Sequence, residues 1–230
     1  MAGWRMMSVP VIELLTTALQ DCFSTGARAS FDEAVAAADR GEAARLLRSY
    51  TGASRWFPPA AVIANVSSPQ DHQAVLSSAW TCPDAARALL LLHAAAAMPA
   101  ERFAAAATDC YTLGDAGEQQ SWLRGLPVMP APERFLTIAI DACRTNIVPL
   151  FEALACENPY PARYFPELHF NQLVLKAMFN GIRLSRIVGL ADRANSELTR
   201  MSSDFADERR AAGRPVPPDI ALALAGGPAT

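Results

Sequence analysis

Charge is scarce in this chain: 19% of its 230 residues are Asp, Glu, Lys or Arg, 51% are hydrophobic, and the formal net charge is -3. A composition this apolar excludes a disordered chain. A pI near 5.6 gives no global attraction to nucleic acid or anionic lipid and leaves room only for a local basic patch. One small patch, Arg209 and Arg210 before AAGRPVPP, has no interleaved aromatics on which bases could stack, so no nucleic-acid partner is expected. Histidine is scarcer still. His72, His93 and His169 are too scattered to nominate a metal site. HExxH, a Gly-rich phosphate loop, GxSxG and metal-spaced Cys/His clusters are all missing, which leaves no sequence warrant for a metal or a cofactor. The five cysteines, at 22, 82, 110, 143 and 156, never form CxxC. With no secretion signal, they read as reduced, mostly buried thiols of a cytoplasmic protein.

Long hydrophobic runs are lacking as well. The most apolar segment, residues 88–98, is framed by Arg87 and Pro99 and is too short to span a bilayer, so it reads as a buried helix. The opening MAGWRMMSVPVIELLTTALQ is broken by Glu13 and polar residues and lacks the apolar core of a signal peptide. Strand signals amount to one run, VIANV, inside an irregular, proline-rich stretch at 51–69, and a single strand cannot make a sheet.

What remains is helix. Apolar spacing predicts helices over 11–23, 30–38 (Ser30 and Glu33 forming a capping-box pattern), 42–50, 71–80, 84–98, 100–113 and 115–123. Further helices are expected over 133–156, 167–182, 190–212 and 219–224, with a frayed tail at 225–230. The expected fold is all-α: an irregular multi-helix bundle or an array of antiparallel helix pairs without a strict repeat period. We expect a single helical domain, with Ala-rich helices over 1–108 and a second region over 109–220.

The segment 145–187 is where the helical pattern is most disturbed. On the helix from 133, Asn146 falls on or at the rim of an apolar face, where an unpaired amide would cost roughly 1–3 kcal/mol. Pro149 cannot donate to the Thr145 carbonyl and should kink the helix, leaving a carbonyl for a ligand, another helix or water. On the helix from 167, Asn171 aligns with Val174, Leu175, Met178 and Ile182. His169, Gln172 and Lys176 line the adjacent side, suited either to present donors to a carboxylate, phenol or carbonyl or to serve as a solvated face. Tyr160, Tyr164 and Phe165 either flank an aromatic ligand or plug the corner stiffened by Pro159, Pro161 and Pro166. Candidates for moving protons are His169, Asp141 and Glu152, with Lys176 to stabilise negative charge. The two carboxylates are 11 residues apart, roughly 16 Å along a straight helix, too far to act as a glycosidase-like pair.

The blocks SWLRGLPVMP (121–130), ACRTNIVPLFEALACENPYPARYFPE (142–167), FNQLVLKAMFNG (170–181) and DERRAAGRPVPPDI (207–220) resemble the EboA domain family. That resemblance implies an α-helical protein encoded beside other proteins of metabolite processing and traffic. In cyanobacteria such groups are associated with moving the precursor of an indole–phenol pigment toward the periplasm. It has no firmly established catalytic residues, so none is carried over. The leading expectation is an accessory protein binding a small aromatic or amphipathic metabolite. Asn146, Asn171, Gln172 and Lys176 would orient its polar groups, and Tyr160, Tyr164, Phe165 and Met178 would form an apolar wall. Other metabolite-processing proteins are candidate partners. A cofactor-free enzyme of cyclisation or condensation and a helical protein–protein scaffold are the alternatives.

Overall fold

The computed structural model describes residues 2–57 and 80–225. His72, the VIANV run, most of the helix expected over 71–80 and the last five residues lie outside them. The described residues contain no strand and thirteen α-helices, so the fold is all-α. In order they are α1 (Ala2–Leu19), α2 (Ala27–Asp39), α3 (Ala43–Gly52), α4 (Cys82–Ala97), α5 (Ala100–Thr112), α6 (Ala116–Gly125), α7 (Leu136–Ala142), α8 (Val148–Ala155), α9 (Tyr160–Tyr164), α10 (Glu167–Phe179), α11 (Leu190–Arg193), α12 (Ser196–Ala211) and α13 (Ala221–Leu224). Short 3-10 turns fill several connections, and contacts divide the chain into two compact units, Met1–Phe135 and Leu136–Thr230.

In the first unit α4 is the axis, in contact with α1, α2, α3, α5 and α6. Ala85, Ala86 and Ala88 let neighbours approach closely, and Leu89 to Leu92 are buried all round the helix. The helix starts where its capping chemistry lies: the Thr81 side chain accepts from the Asp84 N–H while the Asp84 carboxylate accepts from the Thr81 N–H, with Pro83 in the first turn. Asp115 and Glu118 repeat the device at α6. The Ser30 pattern, by contrast, lies inside α2, which begins three residues earlier behind Gly26.

A buried polar network crosses this core. Arg87 Nε donates to the Tyr50 carbonyl (3.0 Å) and Nη1 to Ser121 Oγ (2.9 Å), while Ser121 Oγ donates to Asp84 Oδ1 at 2.5 Å. Tyr50, fully buried, donates to the Glu118 carbonyl (3.0 Å), and burial pushes its phenol well above the ordinary value, so it stays a donor.

In the second unit α10 (13 residues) and α12 (16 residues) are as long as helices of the first, while the other helices are short. The helix expected over 133–156 is broken at 143–147, and that expected over 190–212 is α11 and α12 separated by Ala194 and Asn195. Helix α10 ends at Phe179 and the chain turns at Gly181, whose φ of +69° is cheap only for glycine.

Candidate ligand-binding site

The break after α7 begins where the chain tightens. Cys143 N–H reaches the Ala139 and Ile140 carbonyls (3.3 and 3.2 Å), and the next two amides bond back three residues. Helix α8 restarts at Val148 with Pro149 in its first turn, where a missing N–H costs nothing. Pro149 therefore opens a second helix rather than kinking one. The break frees two carbonyls, and Lys176 of α10 takes both: its ammonium donates to the Cys143 carbonyl and, at 2.6 Å, to the Thr145 carbonyl. It also lies 5.1 Å from the centre of the Phe151 ring. A cation placed at the end of α7 is favoured by the helix dipole as well. Asn146, expected against an apolar face, is exposed in the turn.

The row on α10 then becomes one wall of a concavity of about 200 Å³. His169, Gln172, Leu173 and Lys176 line it from that helix, facing Ile140, Cys143, Arg144 and Phe165. Four residues singled out in the sequence thus meet there: Phe165, His169, Gln172 and Lys176. His169 Nδ1 is enclosed and has no hydrogen-bond partner among the described residues. Burial pushes the Cys143 thiol up to about 12, against the opposing pull of the Lys176 ammonium, so it is a neutral wall. Arg144 sits at the rim, 3.3 Å from Asp141, both exposed.

The other expected residues lie elsewhere in the unit. Asn171 is buried and paired in both directions with Asn195, the Nδ2 of each reaching the Oδ1 of the other (3.1 and 3.0 Å). Asn195 also caps α12 by accepting from the Leu198 N–H at 2.9 Å. Glu152 is bound by Arg186 Nη1 at 3.0 Å, and the same guanidinium grips Glu157 through Nε (2.7 Å) and Nη2 (2.9 Å). Tyr160 is fully buried with its ring 4.8 Å from Tyr164 and 6.3 Å from Phe165, which is the plugged-corner arrangement, and Met178 is in the core.

The corner is held by residues that sequence reasoning did not nominate for a site. Asn158 Nδ2 donates to the Ala153 carbonyl (3.1 Å), closing α8, while its Oδ1 accepts from the Tyr160 N–H (2.9 Å), opening α9. Arg193 donates to the Ala162 and Phe165 carbonyls and stacks 4.6 Å from the Phe170 ring. The only local signal was Asn158 before Pro159. Arg186 and Arg193 act across 28 to 34 residues and leave no local pattern.

The first unit has its own concavity, about 330 Å³, lined by Ile12, Leu19, Phe23, Phe31, Val35 and Leu89 among others, with His93 bonded to Asp39 at 2.8 Å. His93 is thus satisfied by a partner. Among the described residues no group of His, Cys, Asp or Glu converges as a metal-ligand set, and no helix is long and apolar enough to cross a membrane.

A family model described as metabolite traffic protein EboA matches residues 11–225. The chain therefore belongs to the EboA family, and the match extends through the Ala-rich helices as well as the blocks noted in the sequence. No curated protein and no solved structure gives a significant match.

Proposed function

We propose that this chain is an accessory protein of metabolite traffic that holds a small aromatic or amphipathic metabolite in the concavity of the second unit during natural-product processing or transfer. The observation that carries the reading is the convergence of His169, Gln172 and Lys176 with Ile140, Phe165 and Leu173 around one space. An apolar cavity of about 150 Å³ accepts benzene. A space of about 200 Å³ thus suits one small ring system carrying a polar substituent. The ring packs on Phe165, Ile140 and Leu173, while an acidic or carbonyl oxygen takes donors from Gln172, the remaining Lys176 N–H and Arg144 at the rim. Charge-assisted bonds of this kind are roughly twice as strong as neutral ones.

The enzyme reading has less support. Asp141 and Glu152 are both engaged by arginines and neither lines the concavity, so neither of them orients His169 there. Other metabolite-processing proteins would deliver or receive the ligand.

The test is mass spectrometry of small molecules released from the purified full chain, compared with a His169→Ala/Gln172→Ala variant. One compound enriched in the wild type and lost in the variant supports the reading. Identical profiles from both would sink it.

A further inference from the structure

A second polar site lies in the first unit, at the end of α3. A concavity of about 300 Å³ is lined by Arg45, Arg48, Ser49, Gly52, Arg55 and Trp56. The first four fall at i, i+3, i+4 and i+7, one face of the helix. The helix ends at Gly52, and the 3-10 turn Ala53–Trp56 brings Arg55 back over that face. Arg55 Nη2 lies 3.0 Å from where a Cβ on residue 52 would sit, so a larger residue there would shift the guanidinium by a few tenths of an ångström. Trp56 is fixed by an edge contact with Phe31, ring centres 5.2 Å apart.

The charge here is only partly compensated. Glu33 pairs with Arg45, and Glu42 is committed to Arg40 at 2.5 Å, which holds its carboxyl below the ordinary value. Arg48 and Arg55 form no ion pair with any described residue. The carboxyl end of a helix contributes only about half a negative charge. One of the α3 carbonyls there, that of Tyr50, is already covered by Arg87 and by the Ala53 N–H. Two guanidiniums with no carboxylate bonded to them outweigh that pole, in a protein whose overall charge is -3.

We propose that this concavity binds a phosphomonoester group. Arg48 and Arg55 supply forked donors matched to its oxygens, Ser49 a hydroxyl, and the Trp56 indole a stacking wall for the organic part. The site is independent of the metabolite concavity of the second unit, and neither reading needs the other.

Calorimetric titration of the full chain with inorganic phosphate and with phenyl phosphate, at constant ionic strength in chloride, tests the assignment. A parallel arm sediments the protein with phosphatidic acid or phosphatidylcholine vesicles. Saturable binding is expected, tighter for phenyl phosphate, weakened at least tenfold in Arg48→Ala/Arg55→Ala and less in Arg48→Lys/Arg55→Lys. Trp56→Phe is expected to reduce the preference for the phenyl ester while inorganic phosphate still binds. Arginine-dependent sedimentation with phosphatidic acid alone assigns the same phosphate chemistry to a lipid headgroup. Absence of binding in both arms, or binding unchanged in the double alanine variant with its circular dichroism intact, overturns the proposal. Both arginines are exposed, so the variants keep the fold.

Discussion

In the first unit Asp84, Arg87, Glu118 and Ser121 are each no more than 6% exposed and bond to one another or to backbone deep between helices. In the second unit the charged groups Lys176, Arg186 and Arg193 are partly exposed and reach into turns. The difference follows from helix length. Long helices around α4 need their rotation and register fixed, and a buried polar network does this at a high cost when broken. Short helices α7 to α9 expose many end carbonyls, and cations at the turns satisfy them. With the 143–147 turn fastened by Lys176, His169 and Gln172 on the same side of α10 are left to line the concavity.

The largest loss of stability is expected at Asp84. Asp84→Ala leaves Ser121, the Thr81 cap and Arg124, whose Nη1 lies 3.4 Å from the carboxylate, short of their acceptor, and losing one partner of a buried charged network costs about 3–5 kcal/mol. Urea unfolding should show that loss, and a change under about 1 kcal/mol would mean that the network holds nothing.

Alkaline pH should act on both units. Burial raises Cys82 and Cys110 in the first, and Cys143 and Cys156 in the second, from 9.0 to about 12. The folded state keeps these protons while the unfolded chain releases them from about pH 9. Stability is therefore full below that value and falls between 9 and 12, by at most about 1.4 kcal/mol per thiol per pH unit. Unfolding midpoints that stay flat from pH 8 to 11 would contradict this.

Asn171→Ala sharpens the contrast inside the second unit. Stripping Asn195 of its amide partner should cost about 1–3 kcal/mol while ligand binding persists. The reverse pattern is expected for Gln172→Ala, an exposed side chain on the concavity: stability within about 0.5 kcal/mol of wild type, with binding lost. Paired thermal melts and binding isotherms separate the two, and equal effects would dissolve the distinction between them.

Much of the fold was legible because its signals are local. Apolar spacing placed α4 to within two residues at its start, and the spacing of Val174 and Met178 placed Asn171 in the core. The break at 143–147 was not legible, because a proline fits the first turn of a new helix as well as the kink of an old one. Once the helix is broken its register no longer carries across, and Asn146 left the apolar face on which continuous spacing had put it. Ser30 and Glu33 matched a capping box within a helix that had already begun at Ala27. His169, Gln172 and Lys176 shared a side of α10 as spacing implied, but the wall facing them comes from Ile140, Cys143 and Arg144, set by a turn that no local pattern announced.

On the proposed function the metabolite occupies the concavity of the second unit rather than the larger, more apolar one of the first. Methyl NMR of the full chain during titration with an indole or phenol carboxylic acid compares them directly. Saturable shifts are expected at Ile140 and Leu173, abolished by Gln172→Ala, with Ile12 and Leu89 unmoved. Shifts at Ile12 and Leu89 with Ile140 and Leu173 unmoved would contradict the proposed function.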